Sequence, residues 1–292
     1  MSIGIVPRSL GTHSGGFHAD EVTACALLLY FQVIDRDKIL RTRDERRLDC
    51  CDFVCDVGGE YDPKKRRFDH HQVEYKGGLS SAGMVLAYLK EEKILSHQFF
   101  DYLNRSLIIG IDQVDNGAVA PVYGHCNFSQ VIANFGCIVY DATEEEEEEA
   151  FNEALEFVLG HLNRLIRRYE YMEKCGKVVI DLMKQMDECL VFDRAMPWME
   201  VFFENGGEAH GAEFVIMPSG GQWKLRGIPP SYDRRMEVRR ALPKDWAGLL
   251  GEDLVKKTNI SGAVFCHKGR FISIWKTKED AIRALKYTLE HK

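Results

Sequence analysis

The sequence predicts an α/β protein: a mainly parallel sheet domain followed by a second, smaller α/β domain. Three observations carry this. Short apolar runs alternate with helical patterns through the first 185 residues, as in a parallel sheet with crossover helices. One of those runs, Asp52 to Val57, is apolar almost throughout and stopped by Gly58-Gly59, the pattern of a strand buried on both faces. After residue 185 the texture changes to strand-like segments separated by Gly, Pro and Ser turns. The expected division is therefore 1–185 and 186–292.

In chain order, Ser9 to His13 reads as a strand end, and Ser14-Gly15-Gly16 as a turn. Asp20 and Glu21 open a helix, with Val22, Cys25, Ala26 and Leu29 at helical spacing. Acidic residues suit that position because the first N–H groups of a helix point outward unsatisfied. Lys38 to Arg41 is a second strand, and a helix starts near Ser80-Ser81. Glu144 to Glu149 reads as the exposed opening of a long connector helix. Thr143 and Glu146 have capping-box spacing, and Phe151, Leu155, Val158, Leu162 and Leu165 continue the apolar face. In the second domain Leu190 to Phe192, Glu213 to Met217, Gln222 to Arg226 and Ala263 to Trp275 read as strand regions, with a closing helix from about Glu279.

Composition narrows the function. Hydrophobic residues make up 45% and charged residues 28%, an ordinary globular balance. No apolar run approaches the ~18–20 residues that span a bilayer, so no membrane role is expected. A net charge of −7 argues against tight non-specific duplex binding, which draws on Lys and Arg against phosphates. The nine Cys include no C-x-x-C pair, which leaves a disulfide scaffold and a zinc knuckle unsupported. Reduced thiols, with no visible signal or transit peptide, suit a cytoplasmic protein.

The chemistry lies in His and Asp. His13, His18 and Asp20 sit on a Gly-rich strand-to-helix turn, the usual place for a site in an open parallel sheet. Asp56 ends the buried strand. Asp69-His70-His71 places two imidazoles side by side after a carboxylate. Asp115 ends a further apolar stretch. Each motif alone has a bland reading, as a cap or a polar loop. Together they offer nitrogen and carboxylate ligands without thiolate, which favours Mn, Mg, Fe or Zn in a catalytic site. Several carboxylates suit two ions ~3.5–4 Å apart, the arrangement used on phosphoesters.

The order His-x-Asp, strand-Asp, Asp-His-His, later Asp resembles the DHH phosphoesterase superfamily. The segments GTHSGGFHADEVTACALL, RTRD, DVGGEYDPKKRRFDHHQ, LSSAGMVLAY and VDNG resemble its melanocyte-proliferating-gene (Myg) exonuclease branch. So do MPW, GGQWKLRGIP, LPKDWAGL and SGAVFCHKGRF in the second half. The resemblance implies a doubly wound DHH-type domain with a smaller substrate-binding domain. It implies His13, His18, Asp20, Asp56, His70 and Asp115 as ligands of two divalent ions, Mn²⁺ first and Mg²⁺ or another ion as alternatives, with Asp56 bridging. His71 would act at the scissile phosphate, and Asp69 would orient a ring. His18 stands where other DHH enzymes often carry Asp.

The activity implied is 3′→5′ exonuclease hydrolysis of single-stranded RNA or short oligonucleotides. The alternatives are a small-nucleotide or pyrophosphate phosphohydrolase, taking nucleotide phosphates, and a non-catalytic RNA-binding relative. A homodimer is the one self-assembly entertained. Where relatives carry a Gly-Gly-His-type segment, this chain has Ser273-Ile274-Trp275. Trp275 is expected either to pack in the core or to stack on a base. Arg239, Arg270 and Lys276 are expected to supply the missing phosphate contacts, and Arg226, Arg234, Arg235 and Arg240 enrich the same basic stretch.

Overall fold

A computed structural model describes residues 4–291. Two compact units divide the chain, one running through Tyr169 and the other starting at Glu170. The division falls inside the connector helix, whereas the sequence pattern places it at that helix's C-terminal end.

In the first unit the elements are β1 (Val6–Thr12), α1 (Ala19–Tyr30), β2 (Ile39–Arg41), α2 (Glu45–Leu48), β3 (Cys51–Cys55), β4 (Tyr61–Asp62), β5 (Arg67–Phe68), α3 (Ser81–Glu91), α4 (His97–Leu103), α5 (Ile109–Asp115), α6 (Phe128–Ala133) and α7 (Glu144–Met183). The sheet order is β2-β1-β3-β5-β4. β1 pairs parallel with β2 and β3, and β3 with β5, while only β4 runs antiparallel. The mainly parallel sheet is therefore as expected. Its main core gathers Leu10, Phe53 and Phe68 with Leu27 and Leu28 of α1, Met84 and Leu89 of α3, and Leu155 and Val158 of α7. A smaller cluster of Leu48, Cys51 and Val54 seats α2. Gly11 permits that seat, since a Cβ there would meet Leu48 Cδ2 at 2.6 Å.

α7 is one uninterrupted helix. Its start has the expected cap: Glu146 N–H donates to Thr143 Oγ1 at 3.2 Å, and Thr143 N–H donates to the Glu146 carboxylate at 2.8 Å. Those two bonds satisfy backbone groups that the first turn would leave open.

The second unit adds β6 (Cys189–Val191), α8 (Met199–Glu204), β7 (Phe214–Ser219), β8 (Gln222–Gly227), α9 (Gly251–Thr258), β9 (Ala263–Cys266), β10 (Ile272–Trp275) and α10 (Lys278–Glu290). Its sheet order is β6-β7-β8-β10-β9, and only β6–β7 is parallel. The two choices left for Trp275 resolve in favour of packing. It is fully buried, its Nε1 donates to Ser273 Oγ at 2.8 Å, and its ring meets Trp246 edge-on at 5.7 Å. A base cannot reach a ring with no exposed face, so stacking there is excluded. All nine cysteines are free. Among the described residues no helix is long and apolar enough to cross a membrane.

Candidate metal centre

Parallel strands end on the same edge of a sheet, so residues following β1, β3 and β5 converge there. His13 follows β1 directly, Asp56 follows β3, and Asp69, His70 and His71 follow β5. α1 contributes His18, Asp20 and Glu21 from its first turn, and α5 contributes Asp115 from its last. All six expected ligands therefore lie in one cluster, with both DHH-motif partners Asp69 and His71.

Three overlapping groups present atoms at ligand spacing, within 4.8 Å of one another inside each group: His13, His18, Glu21 and Asp56; Asp56, His70 and His71; and Asp20, His70 and Asp115. Asp56 belongs to the first two groups and His70 to the last two. His13 Nε2 lies 3.0 Å from Glu21 Oε1 and 3.3 Å from Asp56 Oδ2. His70 Nε2 lies 3.4 Å from Asp56 Oδ1, 3.1 Å from Asp115 Oδ2 and 3.9 Å from Asp20 Oδ2. Asp56 itself takes a left-handed φ of 57°. Asp tolerates that region better than most residues, and such conformations concentrate at functional sites.

The fit to a cation can be tested on the protein atoms alone. Asp56 Oδ1 and His70 Nε2 are both buried and make no well-formed hydrogen bond, although they lie 3.4 Å apart and His70 Nε2 also sits 3.1 Å from Asp115 Oδ2. Orphaned buried polar atoms are rare because each costs about 1–3 kcal/mol. Two such atoms facing each other within overlapping groups of His and carboxylate side chains fit a divalent ion.

Electrostatics agree. Burial pushes the Asp20 carboxyl well above its ordinary range, and the charges of Asp56 and Asp115 add to this. Burial also acts upward on Asp56, but His13 and His70 outweigh it and hold Asp56 down to about 2. Burial opposes charge on His13, yet Asp56 and Glu21 raise it to about 10. Asp115 and Asp56 raise His70 to about 11. Without an ion, two imidazolium rings offset the clustered carboxylates.

Supporting contacts fix the rings and carboxylates. His70 Nδ1 lies 3.3 Å from Asn116 Oδ1, and Asn116 Nδ2 donates to the carbonyls of Gly78 at 3.2 Å and Asp112 at 2.9 Å. That amide orientation makes Oδ1 the acceptor for a proton on Nδ1 and turns Nε2 toward the acids. Asp69 Oδ1 holds His71 Nδ1 at 2.7 Å, while its Oδ2 accepts Gly59 N–H at 2.6 Å. The His71 side chain is 63% exposed. Asp20, fully buried, accepts Ser81 N–H at 2.9 Å, Ala82 N–H at 2.6 Å and the Ser80 hydroxyl, and so caps α3. Ser80 N–H also donates to Asp112 Oδ1 at 3.0 Å, and Ser80 Oγ lies 2.7 Å from the same oxygen, so its one hydroxyl proton is shared between the Asp20 and Asp112 carboxylates. Gly83 makes room for Asp112, since a Cβ there would fall 2.4 Å from Oδ2.

Glu21, Asp112 and Asn116 carry no site role in the sequence pattern. Glu21 reads locally as a helix-opening acid, and Asp112 is hidden in an apolar stretch. The usable signal was helical spacing: Asp112, Asp115 and Asn116 are three and four residues apart, one face of a helix.

The basic residues of the second unit fare differently. Arg239 donates from Nε to Pro229 O at 3.1 Å, from Nη1 to His210 O at 2.6 Å and Ala212 O at 2.9 Å, and from Nη2 to Gly207 O at 2.5 Å and Glu208 O at 3.4 Å. A guanidinium has five N–H donors. All are engaged, so in this arrangement Arg239, expected to serve a phosphate, has no free donor to offer one. Arg240 pairs with Glu213 at 3.1 Å and caps the carbonyls of Thr288 and Leu289. Arg270 donates once, to Leu242 O at 3.3 Å, and lines an open cavity of about 830 Å³ with Arg240, Lys244 and His291. Lys276 is exposed.

An α/β protein with His and Asp gathered at the ends of parallel strands is the class that fold and site define. The chain matches the profile of the family MYG1_exonuc, described as "Uncharacterised protein family (UPF0160)", over residues 9–289. It is 51% identical to the MYG1 protein of Chlamydia muridarum over 98% of each chain. It is 28% identical to the human MYG1 exonuclease, covering 98% of this chain and 86% of that one. The chain belongs to the MYG1 exonuclease family. Among solved structures, RecJ from Thermus thermophilus in complex with Mn²⁺ is similar at a TM-score of 0.29 and 13% identity. The match covers 97% of this chain and 52% of that one, so the chain spans about half of that RecJ. The family assignment rests on the sequence relatives.

Proposed function

We propose that this protein is a metal-dependent phosphodiesterase, a 3′→5′ exonuclease on single-stranded RNA that works with two divalent ions, Mn²⁺ foremost. The observation that carries the reading is the pair of orphaned buried atoms, Asp56 Oδ1 and His70 Nε2, inside overlapping ligand groups that share these two residues. The exonuclease names of the family's mammalian members support the reaction class. His13, His18 and Asp56 would hold one ion, with Glu21 beside them. Asp20, Asp56, His70 and Asp115 would hold the other. Bound there, the ions would supply Lewis-acid stabilisation of the phosphoryl oxygens.

The chain's own groups do the rest. Asp69 fixes His71 through Nδ1, which leaves Nε2 to serve the leaving oxygen. As water adds to phosphorus and the bond to the leaving oxygen breaks, a proton carried at that atom would pass to that oxygen. Asn116 holds His70 in its ligating orientation. Arg270 and Lys276, which have donors to spare, are the remaining candidates for contacts along the strand.

End-labelled single-stranded RNA incubated with Mn²⁺, with Mg²⁺ and with chelator tests the proposal. Stepwise loss of 3′ nucleotides with metal and none with chelator supports it. Metal-independent cleavage, or no cleavage of any phosphodiester, overturns it. The cavity beside His71 is only about 270 Å³, which favours a second reading, hydrolysis of small nucleotides or pyrophosphate. The same assay with those substrates separates the two.

A further inference from the structure

Arg43 lies at the ligand cluster, yet neither the fold nor the proposed reaction has used it. Its backbone is fixed on both sides. Thr42 N–H donates to Thr12 O at 2.7 Å, which keeps the chain paired with β1 up to the residue before His13. Asp44 accepts Arg46 N–H at 2.9 Å and caps α2, and Asp44 N–H donates to Thr42 Oγ1 at 3.2 Å. Between these anchors the Arg43 side chain is exposed.

Arg41, two residues earlier, shows what a structural arginine does here. Its guanidinium is buried, donates to the carbonyls of Gly15 and Glu147, and lies 4.6 Å over the Phe151 ring. Arg43 has no such neighbours. Among the described residues no carboxylate, carbonyl or ring engages its guanidinium. It lines the cavity of about 270 Å³ together with His13, His18, Asp56, Asp69 and His71. The acids of that cavity are turned to histidines and backbone donors instead: Asp56 to His13 and His70, Asp69 to His71 and Gly59. An unpaired cation thus lines the same cavity as the ring proposed to meet the substrate.

We propose that Arg43 is a phosphate-binding residue that grips the non-bridging oxygens of the scissile phosphate across the cavity from His71. The inference rests on the phosphoesterase reading. A guanidinium presents parallel N–H donors that match two phosphate oxygens, which an ammonium cannot copy. Anchored backbone on both sides lowers the entropy lost when the side chain closes on its ligand.

The experiment compares wild type, Arg43→Ala, Arg43→Lys and Arg46→Ala, all loaded with Mg²⁺. Each is titrated with inorganic phosphate by calorimetry, assayed on a chromogenic phosphodiester and analysed for bound metal. Charge-assisted hydrogen bonds predict about 10- to 100-fold weaker phosphate binding in Arg43→Ala, with a comparable fall in kcat/KM and unchanged metal content. Arg43→Lys should fall between, and Arg46→Ala, on exposed α2 surface, should match wild type. Phosphate bound by Arg43→Ala as tightly as by wild type overturns the inference, as does loss of metal in step with loss of binding. The two readings fail separately. If wild type hydrolyses nothing but Arg43→Ala still loses phosphate, the anion site stands and the esterase falls. If Arg43→Ala hydrolyses like wild type, the esterase stands and the anion site falls.

Discussion

Two sets of buried or half-buried polar groups in this chain have opposite fates. At the sheet edge of the first unit, Asp56 Oδ1 and His70 Nε2 are enclosed by protein and held only at ion-pair distances of 3.1–3.5 Å, with no well-formed hydrogen bond. In the second unit, the Arg239 guanidinium meets five backbone carbonyls and has no donor to spare. Burial is common to both, so burial alone does not mark a functional group. Satisfaction read together with the surroundings does: a saturated group holds architecture, and an unsatisfied one inside a group of His and carboxylate side chains suits a bound ion.

That contrast can be broken most sharply at Asp56. Asp56→Asn keeps the shape but removes the charge shared by two ligand groups. Hydrolysis should fall at least 10³-fold and metal content below one ion per chain, with far-UV circular dichroism unchanged. Wild-type turnover by this variant would end the two-ion reading. His71→Ala comes next. It should slow the chemical step by about 10²–10⁴-fold, the usual scale for a positioned acid or base, while metal content holds. Metal lost from His71→Ala but kept in His70→Ala would reverse the roles of the neighbouring rings.

Asn116→Ala should weaken metal binding by about 10–100-fold, since partners that orient a ligating histidine typically carry that much. Unaltered affinity would show that His70 is oriented by packing alone. pH probes the same ring. His13 and His70, raised to about 10 and about 11, hold protons at neutral pH without metal. Ligation needs the neutral nitrogen, so loading should release protons, and apparent affinity should rise from pH 6 to pH 9. Calorimetry in buffers of different ionisation enthalpy reads this directly, and zero proton release would refute it. The stability consequence has a fixed sign. A histidine whose folded pKa is raised stabilises fully below the unfolded value of about 6.5 and ceases to as pH passes the folded one. The metal-free protein should therefore lose melting temperature between neutral pH and pH 10–11.

The smallest effect on chemistry is expected in the second unit, where stability and binding should separate. Arg239→Ala leaves several carbonyls without donors and should cost about 1–3 kcal/mol of stability, with turnover per folded molecule nearly unchanged. Arg270→Ala with Lys276→Ala should leave stability within about 0.5 kcal/mol. It should weaken short-RNA binding several-fold and flatten its salt dependence. The opposite pattern, with Arg239 controlling RNA binding, would mean that saturation is a poor guide to role.

Much of the fold and of the candidate site is legible in the sequence by itself. Alternating strand and helix patterns point to the parallel sheet, because apolar periodicity is a local property of the chain. The capping spacing of Thr143 and Glu146 places the start of α7 for the same reason. His13, His18, Asp20, Asp56, Asp69, His70, His71 and Asp115 stand out because His and Asp at strand and helix ends are chemically conspicuous. Only the tertiary structure decided that these motifs share one space, that Asp56 and His70 each belong to two ligand groups, and that Glu21, Asp112 and Asn116 support them. It alone decided that Arg239 is saturated, Trp275 sealed in the core and Arg43 left unpaired. Those outcomes depend on which distant carbonyls, carboxylates and rings come within about 3 Å of a side chain, and residue type and local spacing carry no record of that distance.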